Sequence, residues 1–277
     1  MQLLNLLGCK NPIIGVVHFP PLLGYKDFPG LEVCLKKALK DAKTLEEGGV
    51  DAIMVENNYD TPHKEFVSDE VKRAMLKLTL AVSEEVSVPL GICVLWNDYK
   101  SALDIAKESS AKFIRVPVFV DSVETSYGKI YADARAVLNY RKKLGAEHIA
   151  LFTDIHVKHA EMLHPRSLTE SAKEAVEKGS DGIIVTGKWT GDAPNTSDLK
   201  EAREAVGADF PVLIGSGATK NNVDTLLRFA DGIIVGTALK TGQVRSKEEE
   251  TNLKPWQEEI SLEKTKEFVA AFKSALK

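Results

Sequence analysis

An eightfold alternation of short apolar runs with longer amphipathic segments is the feature that most constrains the fold. The apolar runs lie at residues 13–18, 51–56, 90–96, 112–117, 148–154, 182–186, 212–215 and 232–235. Segments with helical spacing lie at residues 32–47, 65–86, 99–108, 130–144, 167–178, 198–206, 221–228 and 262–276. Near-continuous apolar strands separated by helices are typical of a parallel sheet buried on both faces. The pattern predicts an α/β protein, a closed (β/α)8 TIM barrel in which residues 1–277 form a single domain.

The lower end of the predicted barrel has its own sequence signature. Three of the apolar runs follow an aspartate in a shared pattern, at Asp51, Asp181 and Asp231. We expect these side chains to make hydrogen bonds in turns at the bottom of the barrel, remote from any chemistry. Leucines at positions 3, 4, 6 and 7 predict a short N-terminal helix that covers the same end. A polar segment at residues 246–255 predicts a surface excursion before the last helix.

The charge balance limits the partners that we expect. The net charge is −4 and the pI is about 5.9, which argues against nucleic acid or an anionic membrane surface as the main partner. The sequence has no apolar stretch of eighteen residues, which argues against membrane insertion. Residues 1–8 are too short for a signal peptide, so we predict a cytoplasmic protein. Barrels of this type commonly associate through helices or loops, so a homo-oligomer is a further expectation.

Signals for disulfides, metal clusters and cofactors are weak. The three cysteines lack a C-x-x-C spacing, and Cys93 lies inside an apolar run, where we expect a small buried side chain. No Gly-x-Gly-x-x-Gly follows the first apolar run, so the sequence does not indicate a dinucleotide. The cofactor is therefore left unspecified.

The last two apolar runs both stop abruptly at glycine. Gly215, Ser216 and Gly217 follow one run, and Gly236 and Thr237 follow the other. Glycines let backbone N–H groups approach a ligand without interference from Cβ. Barrels of this class typically bind phosphate after strands seven and eight, and the helix predicted at residues 221–228 would direct its positive end to the same place. We therefore predict that these two turns bind the phosphate of a small phosphorylated metabolite.

The densest group of polar residues follows the fifth apolar run. In an extended backbone Asp154 and His156 point the same way, and His159 returns to a neighbouring face if the chain then turns helical. Two imidazoles and a carboxylate could bind a divalent metal ion. They could equally form an acid/base pair, with Asp154 orienting His156 or acting as the base itself. A third interpretation is that both histidines only make hydrogen bonds within a loop.

The ends of the other strands supply further candidates for an active-site face. Glu56 is a second carboxylate or one member of an ion pair, and His18 faces the pocket or packs in the core. Arg115 lies in an apolar run and needs a carboxylate or substrate partner within the barrel mouth. Lys188 could form a Schiff base or make a charge contact with substrate. The predicted catalytic residues are Asp154, His156, Glu56 and His18, and the predicted substrate-binding residues are Asn97, Arg115, Lys158, Thr186, Lys188, Gly215, Ser216, Gly217, Gly236 and Thr237.

Five motifs, in this order and spacing, resemble the BtpA/SgcQ family: IGVVHFPPL from residue 14, FIRVPVF from 113, DIHVKHA from 154, VTG from 185 and GSGAT from 215. The resemblance implies a barrel of the ribulose-phosphate-binding type. It brings an association with photosystem I accumulation in cyanobacteria and with sugar-utilisation genes elsewhere, but no reaction. Pro117 stands where the family pattern has asparagine, so we expect no polar contact from the fourth strand beyond Arg115.

Three functional hypotheses follow from these features. The first is an enzyme that binds a phosphorylated sugar or nucleoside-like compound and acts as an isomerase, epimerase or lyase by proton transfer. The second is a non-catalytic assembly or stability factor that keeps the barrel without turnover. The third is a metal-dependent hydrolase that uses His18, Asp154, His156 and His159.

Overall fold

The computed structural model describes residues 3–242 and 254–276, and these residues form eleven strands. In chain order the strands are β1 (Ile13–His18), β2 (Ala52–Glu56), β3 (Leu90–Cys93), β4 (Phe113–Val116), β5 (Val123–Thr125), β6 (Gly128–Ile130), β7 (Ala150–Ile155), β8 (Ala160–Met162), β9 (Gly182–Val185), β10 (Val212–Ile214) and β11 (Gly232–Val235). Eight of them close into a barrel in the order β1-β11-β10-β9-β7-β4-β3-β2, and every pairing around it is parallel. The predicted (β/α)8 barrel is confirmed, and each predicted apolar run overlaps one barrel strand.

Helices alternate with the barrel strands and, except for the first, cover the outside of the barrel. They are α1 (Leu3–Leu7), α2 (Leu31–Gly48), α3 (Asp69–Glu85), α4 (Tyr99–Glu108), α5 (Ala134–Lys143), α6 (Leu168–Glu177), α7 (Thr196–Val206), α8 (Val223–Leu226) and α9 (Leu262–Ala275), with a short 3₁₀ helix at Thr237–Leu239. Side-chain caps explain where several begin: Ser68 accepts from the Val71 N–H, and Ser167 forms a capping box with Glu170. The predicted helix at residues 65–86 therefore starts four residues later than its apolar pattern indicated.

Two further helix predictions were wrong in extent. The helix predicted at residues 221–228 is the single turn α8, so its dipole adds little to an anion site. The helix predicted at residues 130–144 begins only at Ala134, because the preceding residues pair in a sheet. Strands β5, β6 and β8 form this antiparallel sheet, which the sequence did not reveal because three residues are too few for an alternating pattern. The segment predicted as a surface excursion, residues 246–255, lies outside the described residues up to 253.

Apolar side chains form two layers around the barrel. One buried cluster fills the inside, where Met54, Phe113 and Phe152 meet Leu3 and Leu7 of α1. The predicted N-terminal helix thus contributes directly to the interior at the barrel's lower end. A larger cluster packs between the strands and the surrounding helices. Cys93 is buried in the inner cluster as a free thiol.

The three repeated aspartates join neighbouring strands at their beginnings. Asp51 accepts a hydrogen bond from the Ile13 N–H at 2.8 Å, and Asp231 accepts one from Val212 at 2.8 Å. Asp181 accepts from the Leu151 N–H at 2.9 Å. Arg203 and Arg141 pair with Asp231 and Asp181 respectively, which neutralises these carboxylates. Their predicted role in turns at the bottom of the barrel agrees with these contacts.

None of the helices formed by residues 3–242 and 254–276 combines the length and apolar character needed to cross a membrane.

Candidate active site

A cavity of about 510 Å³ opens at the carboxyl ends of the barrel strands. Its size is within the range of pockets that hold small molecules. The side chains and turns around it come from the ends of β1, β2 and β4 and from the loops after β7, β9, β10 and β11. The predicted site residues that line it are His18, Glu56, Arg115, Lys158, Gly215, Ser216, Gly217, Gly236 and Thr237.

A buried ion pair forms the floor of the cavity. Arg115 donates two hydrogen bonds to Asp154, from Nε to Oδ1 at 2.8 Å and from Nη2 to Oδ2 at 2.7 Å. Its Nη1 lies 3.7 Å from Oε2 of Glu56. Burial opposes the charged guanidinium, but the charges of Asp154 and Glu56 outweigh it and raise the pKa of Arg115 above its ordinary value. The partner that the sequence required for Arg115 is therefore Asp154, which holds the arginine in place.

His18 and Glu56 face each other across the first two strands. Nε2 of His18 lies 3.8 Å from Oε1 of Glu56, which is too far for a direct hydrogen bond. Burial lowers the pKa of His18 well below its usual value, and the positive charges of Lys240 and Lys158 lower it further. Nδ1 of His18 is buried without a hydrogen-bond partner among the described residues. His18 is thus a neutral imidazole that can accept or donate a proton beside a carboxylate.

The absence of a side chain at Gly236 leaves space for the imidazole ring of His18. A Cβ at residue 236 would lie 2.6 Å from Cε1 of His18, which no side chain can tolerate without displacement of the ring. The glycine that ends β11 therefore allows close approach of the backbone to the imidazole, in addition to lining the cavity.

Lys158 extends into the cavity from the loop after β7. Its backbone N–H donates to Oγ1 of Thr186 at 3.2 Å, and its Nζ lies 3.5 Å from Oγ of Ser216. Burial and the positive charge of Arg115 lower the pKa of Lys158 to about 8, against the opposite effect of Glu56. Lys158 is partly exposed, because its side chain lines the open cavity.

The turn after β10 presents backbone donors to the cavity. In the part of the chain that the structure describes, the N–H groups of Ser216, Gly217 and Ala218 donate to no other residue. Oγ of Ser216 accepts from the Gly191 N–H at 3.2 Å, which brings the loop after β9 over the turn. Thr237 lines the cavity from the neighbouring strand end. Unpaired N–H groups at a glycine turn are suited to an anion.

Aromatic rings form the outer wall of the cavity, and no sequence motif predicted that Tyr127 and Trp189 would lie there. Trp96, Tyr127 and Trp189 line it together with His63 and His159. His63 stacks edge-on against Tyr127 with ring centroids 5.3 Å apart. Both ring nitrogens of His63 are buried without a partner among the described residues, and burial lowers the pKa of His63 to about 4. Tyr127 reaches the wall because it lies between β5 and β6.

The depressed pKa of His63 predicts a pH-dependent stability. The unfolded chain binds a proton below pH 6.5, whereas folded His63 does so only near pH 4, so stability is lost as pH falls between these values. A shift from 6.5 to about 4 corresponds to roughly 3 kcal/mol. We expect a His63→Phe variant to lose less unfolding free energy between these pH values, measured by urea denaturation. His164→Phe, at an exposed histidine, is the control and should keep the wild-type slope.

Five predicted site residues do not line this cavity, and one of them is Asp154, which is 1% exposed and bound to Arg115. The side-chain amide of Asn97 donates from Nδ2 to the Val118 carbonyl and accepts at Oδ1 from the Val118 N–H, at 2.9 Å each. The other three line a second cavity, which adjoins the first and shares Lys158, His159 and Trp189 with it: His156, Thr186 and Lys188. His156 leaves the plane of its strand because its φ is +48°, so the extended backbone that would align it with Asp154 ends at Ile155.

The residues proposed as metal ligands are dispersed. Asp154 is bound to Arg115, His156 lines the second cavity, and Nε2 of His159 accepts from the Thr190 N–H at 3.1 Å. Within residues 3–242 and 254–276, no three His, Cys, Asp or Glu side chains come together in a way that could hold a metal ion. The donor set required by a metal-dependent hydrolase is therefore not assembled.

The fold and the cavity define a class: a (β/α)8 barrel with a glycine turn and titratable side chains at its mouth. The chain belongs to the BtpA family, whose model matches residues 9–253. An uncharacterised protein of Pyrococcus furiosus is 42% identical over 233 residues, covering 83% of this chain and 87% of its own. The photosystem I biogenesis protein BtpA of Synechocystis is 40% identical over 243 residues, covering 87% and 84%.

Solved structures of similar shape are barrel enzymes. Thiamine phosphate pyrophosphorylase from Pyrococcus furiosus has a TM-score of 0.58 at 17% identity and covers 97% of this chain and 98% of its own. N-(5'-phosphoribosyl)anthranilate isomerase from the same organism has a TM-score of 0.57 at 12% identity, with coverage of 95% and 100%. At such low identity the likeness shows the fold alone.

Proposed function

We propose that this protein is a cytoplasmic enzyme that binds a small phosphorylated sugar or nucleoside-like compound at the barrel mouth. The proposed reaction is proton transfer at the sugar carbons, as in an isomerase, epimerase or lyase. The observation that carries the proposal is the pairing, in one cavity, of unpaired N–H groups at residues 216–218 with the neutral imidazole and carboxylate of His18 and Glu56.

The phosphate end of the ligand fits the turn after β10. The N–H groups of Ser216 and Gly217 point to no other acceptor in the described chain, and Lys158 supplies a positive charge beside Oγ of Ser216. Phosphate oxygens could accept hydrogen bonds from these N–H groups and from the Lys158 amine at the same time. Binding energy from this remote group would orient the reacting carbons.

The reacting end of the ligand fits the opposite side of the cavity. Glu56 accepts a hydrogen bond from the Cys93 thiol and is not engaged in a bidentate pair as Asp154 is. Its neighbour His18 is neutral, so the two groups offer a base and a proton donor for carbons and hydroxyls between them. Asp154 then acts as a positioning residue for Arg115 rather than as the base.

The aromatic wall supports a ligand with an apolar or planar part. Trp96, Tyr127 and Trp189 line the cavity on the side of the antiparallel sheet. Rings of this kind stack on planar groups, which suits a nucleoside-like compound.

Thermal unfolding in the presence of phosphorylated sugars tests the proposal. A ligand at a hundred times its Kd stabilises the folded state by about 2.7 kcal/mol, or roughly 5–10 °C in a protein of this size. We expect ribose 5-phosphate or ribulose 5-phosphate to raise the melting temperature in this range, and ribose without phosphate to leave it unchanged. The absence of a shift with either phosphorylated sugar would contradict the proposal.

A second candidate function is a non-catalytic assembly factor. It is favoured by the 40% identity to a relative described as a photosystem I biogenesis protein. It predicts a stable protein partner and no turnover in a broad metabolite screen. The titratable groups that converge in the cavity favour the enzyme instead.

A further inference from the structure

The lysine amine in the barrel-mouth cavity has no carboxylate partner. Nζ of Lys158 contacts Oγ of Ser216 at 3.5 Å, and among the described residues Lys158 forms no salt bridge. Asp154, which could have paired with it, is occupied by both guanidinium donors of Arg115. A partly buried amine that lines a cavity without a direct carboxylate partner is available for contact with a ligand.

We propose that Lys158 is a nucleophile that forms a Schiff base with the carbonyl carbon of an open-chain phosphorylated ketose or aldose. This proposal rests on the proposed function, because it requires the ligand's phosphate in the turn at residues 216–218. It names the substrate class more narrowly, as a phosphate ester with a ketone or aldehyde carbon within reach of the amine.

The electrostatic surroundings favour a neutral, nucleophilic amine. Burial and the guanidinium of Arg115 lower the pKa of Lys158 to about 8. At about pH 8 roughly half of such amines are neutral, compared with about 0.4% of a free lysine side chain. A lysine next to another cationic group is a known way to activate this nucleophile.

Among the described residues, no other lysine combines a lowered pKa with a place in the lining of this cavity. Burial lowers the pKa of Lys240 to about 7, but Lys240 does not line the cavity. Lys188, for which the sequence suggested Schiff-base chemistry, lines the second cavity. Lys240 is 2% exposed and donates to the hydroxyl of Tyr59 at 2.9 Å, so it does not face the ligand. In the described part of the chain, Lys158 is the one lysine that lines the barrel-mouth cavity.

The chemical step balances with groups that the cavity contains. The lone pair of Nζ attacks the carbonyl carbon, a C–N bond forms, and the carbonyl oxygen takes up a proton as the nitrogen loses one. The nitrogen lone pair then expels the hydroxyl group, which leaves as water after it takes up a proton from solvent in the open cavity. The protonated imine withdraws electrons from the adjacent carbon, so His18 or Glu56 can remove a proton there, or a neighbouring C–C bond can break.

Reductive trapping tests the proposal with pyridoxal 5′-phosphate, an aldehyde that carries a phosphate. The intact protein is incubated with this probe, reduced with borohydride and mapped by peptide mass spectrometry. We expect Lys158 to be labelled roughly a hundredfold faster than surface lysines at about pH 8, given its larger neutral fraction. Inorganic phosphate should protect it, and ribulose 5-phosphate with borohydride should leave a covalent adduct on the same residue.

Matched variants distinguish the loss of the nucleophilic amine at Lys158 from the loss of its positive charge and from a general effect on folding. Lys158→Arg keeps the positive charge and Lys158→Met removes it, and both should lose the labelling, whereas Lys188→Met should keep it. Labelling of Lys158 no faster than that of surface lysines, without a ribulose 5-phosphate adduct, would overturn the proposal. If ribulose 5-phosphate still raised the melting temperature in that case, phosphate binding would stand and only the Schiff base would fall.

Discussion

An Arg115→Met variant is expected to unfold with a free energy about 3–5 kcal/mol lower than wild type, the largest effect of any substitution proposed for this chain. Arg115 and Asp154 are 6% and 1% exposed, and their two hydrogen bonds of 2.8 and 2.7 Å link β4 to β7. Without the guanidinium, the carboxylates of Asp154 and Glu56 remain buried with no positive partner between them. Urea denaturation followed by circular dichroism measures the loss.

Two further variants distinguish the lost ion pair from the lost side-chain volume. Arg135→Met removes an exposed arginine of α5 and should change stability by no more than about 0.5 kcal/mol. Arg115→Met combined with Asp154→Leu replaces both charges by apolar groups and should recover part of the loss. If the single Arg115→Met variant were as stable as Arg135→Met, the ion pair would not be the floor of the cavity that we describe.

A Gly217→Asp variant is expected to abolish stabilisation by phosphorylated sugars and to destabilise the barrel. Gly217 has a φ of +68°, and a Cβ there would lie 2.2 Å from the Ala193 nitrogen and 2.3 Å from the Asp192 carbonyl carbon. The left-handed conformation costs roughly 1–2 kcal/mol for a non-glycine residue, and the overlap with backbone adds about 1–3 kcal/mol. The new carboxylate would also repel a phosphate from the turn.

Gly145→Asp is the matched control for this prediction. Gly145 also has a left-handed φ, +62°, but nothing lies within 4 Å of its Cβ position, and it is exposed between α5 and β7. We expect this variant to lose only the conformational part of the stability and to keep the full shift with ribose 5-phosphate. A Gly217→Asp protein that behaved like Gly145→Asp in both melting experiments would contradict the anion-binding role of the turn.

The barrel could be predicted from the sequence because its signals are local and repeated. The apolar pattern of each strand can be read within a few residues, and the aspartate before β2, β9 and β11 recurs in one pattern. The need of Arg115 for a partner also followed from the cost of a buried charge. Its partner Asp154 is 39 positions away in sequence, and only the closure of the barrel brings the two together.

The parts of the site that were not predicted from the sequence depend on the backbone conformation of the loops. Alternation in an extended strand placed Asp154 and His156 on one side, but the chain leaves that conformation at His156, with a φ of +48°. The same turn carries Lys158 into the cavity, while Lys188 lines the second cavity. Tyr127 enters the aromatic wall only through the hairpin of β5 and β6, whose strands of three residues leave no readable period.

A crystal structure of the protein with ribose 5-phosphate tests the central claim most directly. The account predicts the phosphate group within hydrogen-bond distance, about 2.7–3.2 Å, of the N–H groups of Ser216 and Gly217, and the sugar carbons between His18 and Glu56. A phosphate bound instead in the second cavity beside His156 and Lys188, with the turn at residues 216–218 empty, would contradict it.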